Sequence, residues 1–167
     1  MTNTLRALLI LWCAPALADV DAHFANWVAG YGWGTTLQQI QAKYPGGFAW
    51  PNKGSEVKGE VVYAVSGSFA LPGVETPSPL VHFIFSKDNE LQRIFFHFKP
   101  ADRDTVLYQI AQQLGQDYLI RDQAMSRQFE WKRGRMVFAR YEIGSGPEFP
   151  WAFLGIKAMN DQKQSQK

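Results

Sequence analysis

Three histidines, His23, His82 and His97, are the side chains of this chain best suited to proton transfer or metal ligation. Two of them lie in the densest run of β-branched and aromatic residues, positions 80–98, LVHFIFSKDNELQRIFFHF. This run reads as a two-stranded hairpin. Pairing Lys87 with Glu90 leaves Asp88-Asn89 as a two-residue loop, and both residue types tolerate the positive φ angles of a tight turn. In that register His82 faces Phe95 and His97 faces Leu80, so the two imidazoles are diagonal neighbours on one face of the sheet. A metal ion would need a third ligand, and no spacing in the sequence supplies one. Two histidines half-buried among apolar neighbours, with no metal and no cofactor, is the reading adopted.

Other chemistry finds less support. Ser145 sits in a bare Gly-Ser-Gly, without the flanking positions of a nucleophile elbow, and reads as turn chemistry. Asp102 with Asp104 and Asp117 with Asp122 stand at a helix start and a strand entry, where capping and solvation account for them. Arg127, Arg133, Arg135 and Arg140 gather with Lys132 on a second hairpin. That cluster could dock an acidic group, but edge protection against sheet-to-sheet pairing explains it more simply. No catalytic constellation emerges, and the expectation is a chain that is not an enzyme.

Twelve Phe, six Trp and six Tyr make an aromatic excess that strands largely absorb as core. Phe48, Trp50, Phe149 and Trp151 fit that account less easily, being placed in loops before a first and a last strand. If those loops emerge at one end of the sheet, they form a shared aromatic lip able to anchor a protein or stack on a small ligand; otherwise they plug the core. A second candidate surface is the other face of the central hairpin, with His82, Ile84, Phe95 and His97. It is more apolar than a solvated face should be, so something covers it.

The elements that must position these residues follow from periodicity. Val81, Phe83 and Phe85 share the core face of the hairpin with Ile94, Phe96 and Phe98. Before it, Asp21 caps a short helix over 19–31 with Phe24, Trp27, Val28 and Tyr31 on its apolar side. Thr35, with Gln38 three positions on, opens a second helix whose stripe is Leu37, Ile40 and Tyr44 and which Pro45-Gly46-Gly47 ends. Residues 60–71 alternate as a strand, Val61, Tyr63, Val65, Phe69 and Leu71 on one face, with a bend at Gly67; residues 71–79 read as a Pro-rich connection. Pro100 and Asp102 open a third helix striped by Val106, Leu107, Ile110, Ala111 and Leu114 and stopped by Gly115. Arg133-Gly134 then turns a hairpin pairing Trp131 with Met136 and Phe129 with Phe138, and a last strand runs to about Met159.

The order predicts an α+β fold: an antiparallel β-sheet with helices packed on one face, the halves reading as a diverged repeat of helix plus three-stranded meander. Residues 1–18 read as a cleavable signal peptide: Arg6, an apolar run, Pro15 and an Ala16-Leu17-Ala18 cleavage site before Asp19. Residues 19–159 make one domain, and 160–167 a disordered polar tail. Lipid anchoring at Cys13 is disfavoured by the bulky Trp12 before it. Removing the leader takes the only cysteine with it, leaving no disulfide and pointing to the periplasm. Without Arg6, the seventeen Lys plus Arg fall to sixteen against fifteen Asp plus Glu, a balance that predicts no nucleic-acid partner. No run is long enough for a membrane span of about 20 residues.

Trp33-Gly34-Thr35-Thr36 opening a helix that ends at Tyr44-Pro45, then Phe83-x-Phe85, a turn and Leu91, then a helix, Gly115 and Trp131, resembles a layout of exported bacterial α+β domains. It is similar to the helix-and-meander order of β-lactamase inhibitor proteins and of small outer-membrane assembly lipoproteins. The resemblance implies a role in binding another protein. The chain departs from the first in lacking disulfides and from the second in lacking a lipidation site, so no functional residue is carried over. The expected function is a non-enzymatic periplasmic binding protein with a protein partner of inhibitor, immunity or envelope-assembly type. A small-molecule binder for lipid or peptidoglycan fragments is the alternative, and a small hydrolase the weakest reading.

Overall fold

The computed structural model describes residues 34–50, 59–132, 137–144 and 151–158 and, within them, every side chain except those of residues 132, 137–139 and 158. In chain order its elements are α1 (Leu37–Lys43), β1 (Phe48–Ala49), β2 (Val61–Leu71), β3 (Val74–Phe85) and β4 (Leu91–Phe98). A 3-10 turn (Pro100–Asp102) leads into α2 (Arg103–Leu114), followed by β5 (Leu119–Asp122), β6 (Ser126–Lys132), β7 (Val137–Gly144) and β8 (Ala152–Ala158). The eight strands form one antiparallel sheet in the order β1-β2-β3-β4-β8-β7-β6-β5. Each helix thus precedes four strands rather than three, and the last strands of the two meanders, β4 and β8, pair at the centre. The expected helix over 19–31, the leader, Cys13, His23, Ser145 and the polar tail lie outside the described residues.

The β3–β4 register agrees with the alternation: Val81 opposes Phe96, His82 opposes Phe95, Phe83 opposes Ile94, and Leu80 opposes His97. The turn differs. The N–H of Ser86 donates to Glu90 O at 2.9 Å, leaving residues 87–89 as a three-residue loop with Asn89 at φ 62°. Such loops combine a tight turn with a left-handed residue, a role that Asn fills readily. The extra residue is taken up where pairing jumps from Ile84–Arg93 to Phe85–Leu91, so Gln92 bulges and the register beyond it is unaltered.

Two further corrections concern boundaries. The α1 cap is Thr36, not Thr35: the N–H of Gln39 donates to Thr36 Oγ1, and the N–H of Thr36 donates to Gln39 Oε1 at 2.8 Å, a reciprocal capping box. Thr35 is still part of an extended approach, its carbonyl accepting from Leu91 N–H at 2.9 Å. The stretch 71–79 is mostly strand. Leu71 opposes Val74 across Pro72-Gly73, with Gly73 at φ 76°, the Pro-then-positive-φ order of a type II turn. Pro77 and Pro79 then fit inside β3 because its pairing with β4 reaches only Leu80, so a missing N–H on that side leaves no neighbour unbonded.

The second hairpin is displaced by three residues from the predicted register. Phe129 opposes Tyr141 and Trp131 opposes Ala139, instead of Phe138 and Met136. An odd displacement exchanges the faces of a strand, and the core decides it. Tyr141 is fully buried, and its hydroxyl donates to Arg103 O at 2.9 Å, while Trp131 Nε1 donates to Gly115 O at 2.7 Å. Two buried rings therefore bind backbone carbonyls at opposite ends of α2. Burial pushes the Tyr141 phenol well above its ordinary range. Ile40 of α1 and Val106, Ile110, Ala111 and Leu114 of α2 belong to the same buried cluster as Tyr63, Phe83, Phe96 and Leu154 of the sheet. Leu37, Tyr44 and Leu107 of the predicted stripes pack against that cluster, partly buried.

Candidate functional site

The residues of the sheet with the opposite parity to this core converge at its centre. Along one line Ala64, His82, Phe95, Gly155 and Arg140 are successive partners; along the next, Ser66, Leu80, His97, Phe153 and Glu142. His82 and His97 are thus set diagonally, as the alternation predicts, and they touch. His97 Nε2 and His82 Nδ1 are 3.2 Å apart, one donating to the other, with ring centroids 4.3 Å apart.

Aromatic rings enclose the pair. The N–H of Trp50 donates to Val62 O at 2.9 Å, continuing the β1 pairing, and its indole lies 4.7 Å from His82, centroid to centroid. Phe48 packs on Trp50 at 5.7 Å. Both rings remain open to solvent, at 45% and 41% exposure. Phe48 opposes Ala64 on β2, and the single methyl group of Ala64 is fully covered. On the other side Phe153 lies 5.8 Å from His97 and 5.2 Å from Phe95. Phe95 can lie low there because its partner is Gly155: a Cβ at that position would stand 2.8 Å from Phe95 Cε1.

Both histidines are held neutral at neutral pH. Burial lowers His82, while burial and then the neighbouring His82 bring His97 down to about 4. His82 Nε2 is buried and has no hydrogen-bond partner. Among the described residues no group of three or more His, Cys, Asp or Glu could hold a metal ion. Ser78, itself fully buried, donates from Oγ to the carbonyls of His97 (2.8 Å) and Leu80 (2.9 Å), fastening the backbone beneath the pair.

Polar residues border the aromatic bed. Gln128 Nε2 donates to Glu142 Oε2 at 3.0 Å, Arg140 Nη1 donates to Gln128 Oε1 at 3.4 Å, and Arg121 pairs with Glu130 at 2.7 Å. Toward the start of β2, Arg93 pairs with Glu60, whose side chain is almost wholly buried. The predicted arginine cluster is dispersed by these pairings: Arg140 joins the border, Arg127 binds Asp122 at 2.6 Å, and Arg133 and Arg135 lie outside the described residues.

The expected lip does not form as drawn. Three successive antiparallel steps separate β2 from β8, so they run in opposite directions, and the loops preceding them leave the sheet at opposite ends. Trp50 joins the histidine bed by strand pairing instead. Trp151 is half-buried directly before β8, its carbonyl accepting from Gly144 N–H at 2.8 Å, and Phe149 lies outside the described residues. Ile84 is buried rather than presented. Phe153 and Gly155 were not singled out by sequence reasoning; their only signal was the alternation of AFLGIKA, which does not name the partner strand.

Compared with protein-family models, with curated proteins and with solved structures, the chain matches none.

Proposed function

We propose that this chain is an exported, non-enzymatic binding domain that engages another protein through the bed of Trp50, His82, Phe95, His97 and Phe153. The observation that carries this reading is the placement of two solvent-open rings, Phe48 and Trp50, against a half-buried dihistidine pair in the middle of a sheet. Large rings that already pack on one side surrender little side-chain entropy when a partner covers the other. A border of ion-paired Arg, Glu and Gln suits the rim of an interface. The packing of both helices on the face opposite the bed, and the descent of the halves from a helix-plus-meander repeat, belong to the same proposal. They are supported by the shared core cluster and by the mirrored strand order.

Export rests on residues 1–18 and directs the search for a partner to the periplasm. The test is capture from periplasmic extract by residues 19–167, repeated with a folded Phe48→Ala, Trp50→Ala variant. A stoichiometric protein retained by the parent and lost from the variant supports the reading; retention by both removes the bed from it. A small apolar ligand is the rival, favoured by the enclosed, unpartnered His82 Nε2, which a ligand hydrogen bond would satisfy. Native mass spectrometry showing a bound small molecule and no captured protein would decide for the rival.

A further inference from the structure

Two imidazoles facing nitrogen to nitrogen form a hydrogen bond over only part of their titration. Each neutral ring carries one proton, and the contact between His97 Nε2 and His82 Nδ1 needs one of the two. A pair with a single positive charge still keeps one proton in the contact, since the added one goes to an outer nitrogen. A doubly charged pair has all four nitrogens protonated, so two N–H groups point at each other across 3.2 Å and attraction becomes repulsion. The first added proton is poorly housed as well. On His82 the outer nitrogen is Nε2, buried and without an acceptor.

Among the described residues the surroundings offer no unpaired compensating charge. Phe48 on β1 and Trp50 just after it, Val62, Ala64 and Ser66 on β2, Leu80 and Ile84 on β3, and Phe153 and Gly155 on β8 are not ionisable. Of the described charged residues with this parity, Arg93 on β4 is bound to Glu60, which precedes β2. On β7, Arg140 and Glu142 pair with each other at 3.8 Å; Glu130 on β6 is taken by Arg121, and Lys157 on β8 is cationic. Among the described residues the ring contacts of the two imidazoles are each other, Trp50 and Phe153. What the pair supports is lightly held. β1 has two residues, Phe48 and Ala49, and Trp50 extends its pairing by one hydrogen bond to Val62.

We propose that His82 and His97 form an acid-operated latch: double protonation parts the two rings and frees Trp50, with β1, from β2. The opening is a property of the isolated chain, and only its consequence, release of a partner in acid, rests on the function proposed above. The lowered titration of both groups has the sign the latch requires. A histidine lowered in the folded state contributes stability that is complete above its ordinary value of about 6.5 and is lost as pH falls toward the folded value, here about 4 for His97.

The test follows the imidazole and Trp50 indole resonances of the full chain from about pH 7.5 to about pH 3.5, a range that brackets the ordinary and the lowered histidine values. The Trp50 signal is assigned with Trp50→Phe. The expected result is a Trp50 transition steeper than a one-proton curve, with the protection factor of the Trp50 amide, taken against the intrinsic exchange rate at each pH, lowered at least about tenfold, as for local opening. The double variant His82→Asn, His97→Gln sets an amide near each facing nitrogen, keeping a hydrogen bond that does not titrate; its Trp50 signal should stay constant. A Trp50 environment unchanged while both histidines of the parent titrate would overturn the latch, as would equal shifts in parent and variant. If the variant does not fold, the parent titration alone decides. Partner capture at neutral pH is unaffected by this outcome, so the latch and the binding role fail separately.

Discussion

Substituting Gly155 with alanine tests whether the aromatic bed is a packed arrangement. The added Cβ would stand 2.8 and 3.0 Å from Phe95 Cε1 and Cδ1, against about 3.5–4.0 Å for unstrained carbon contacts. The Phe95 ring must therefore retreat by roughly 0.7 Å, and Phe153, 5.2 Å away, stands beside it. Overpacking of this kind costs about 1–3 kcal/mol, while exchanging Gly for Ala inside a strand returns about 0.5–1 kcal/mol of backbone entropy. The expected net is a loss of about 1 kcal/mol, read as a lower urea midpoint at unchanged slope or as a fall in Tm of about 2–4 °C.

A second background makes the cause visible. With Phe95→Ala already in place the obstacle is gone, so Gly155→Ala should become stabilising by about 0.5–1 kcal/mol. The coupling between the two sites should then be about 1.5–2 kcal/mol, well outside the additivity of independent positions. If Gly155→Ala has the same effect in both backgrounds, Phe95 does not lie over Gly155, and the geometry argued for the bed is wrong.

Two further expectations bear on the frame. Thr36→Ala removes the hydroxyl that accepts from Gln39 N–H, while the Thr36 N–H to Gln39 Oε1 arm of the capping box stays, and should cost about 1 kcal/mol by urea unfolding; Thr35→Ala should cost less, since the capping hydroxyl is on Thr36, and the reverse order would place the cap at Thr35. Arg93→Met should be a damaging border substitution, at about 1.5–3 kcal/mol, because it removes the guanidinium that donates to the nearly buried Glu60 carboxylate. Adding Glu60→Gln to it should recover much of that loss, and equal stability of the single and double variants would show that Glu60 is not buried as described.

What could be read in advance was local. The β3–β4 register followed from alternation because a slip by one residue would expose Phe83 and Phe96, and the helical stripes of Ile40 and Ile110 followed from three-and-four spacing. The errors were local too, at turns. Asp88-Asn89 and Arg133-Gly134 each looked like a two-residue loop; the first gained a residue that a bulge at Gln92 returned, and the second hairpin moved by three. Turn chemistry fixes a register only when nothing larger competes, and the burial of Tyr141 competes successfully.

The candidate site was half legible for a related reason. His82 and His97 lie in neighbouring strands joined by a short turn, so their diagonal could be counted residue by residue. Phe153 reaches them through the β4–β8 pairing, which joins positions more than fifty residues apart and leaves no trace in spacing. That pairing is also the seam between the two meanders. His82, His97 and Phe95 come from the first, and Phe153 and Gly155 from the second, so neither half carries the bed alone. A substitution that weakens the seam without unfolding either half should therefore disturb the aromatic bed before it disturbs the helices, whose buried residues Ile40, Val106, Ile110 and Leu114 belong to the hydrophobic core cluster and not to the bed.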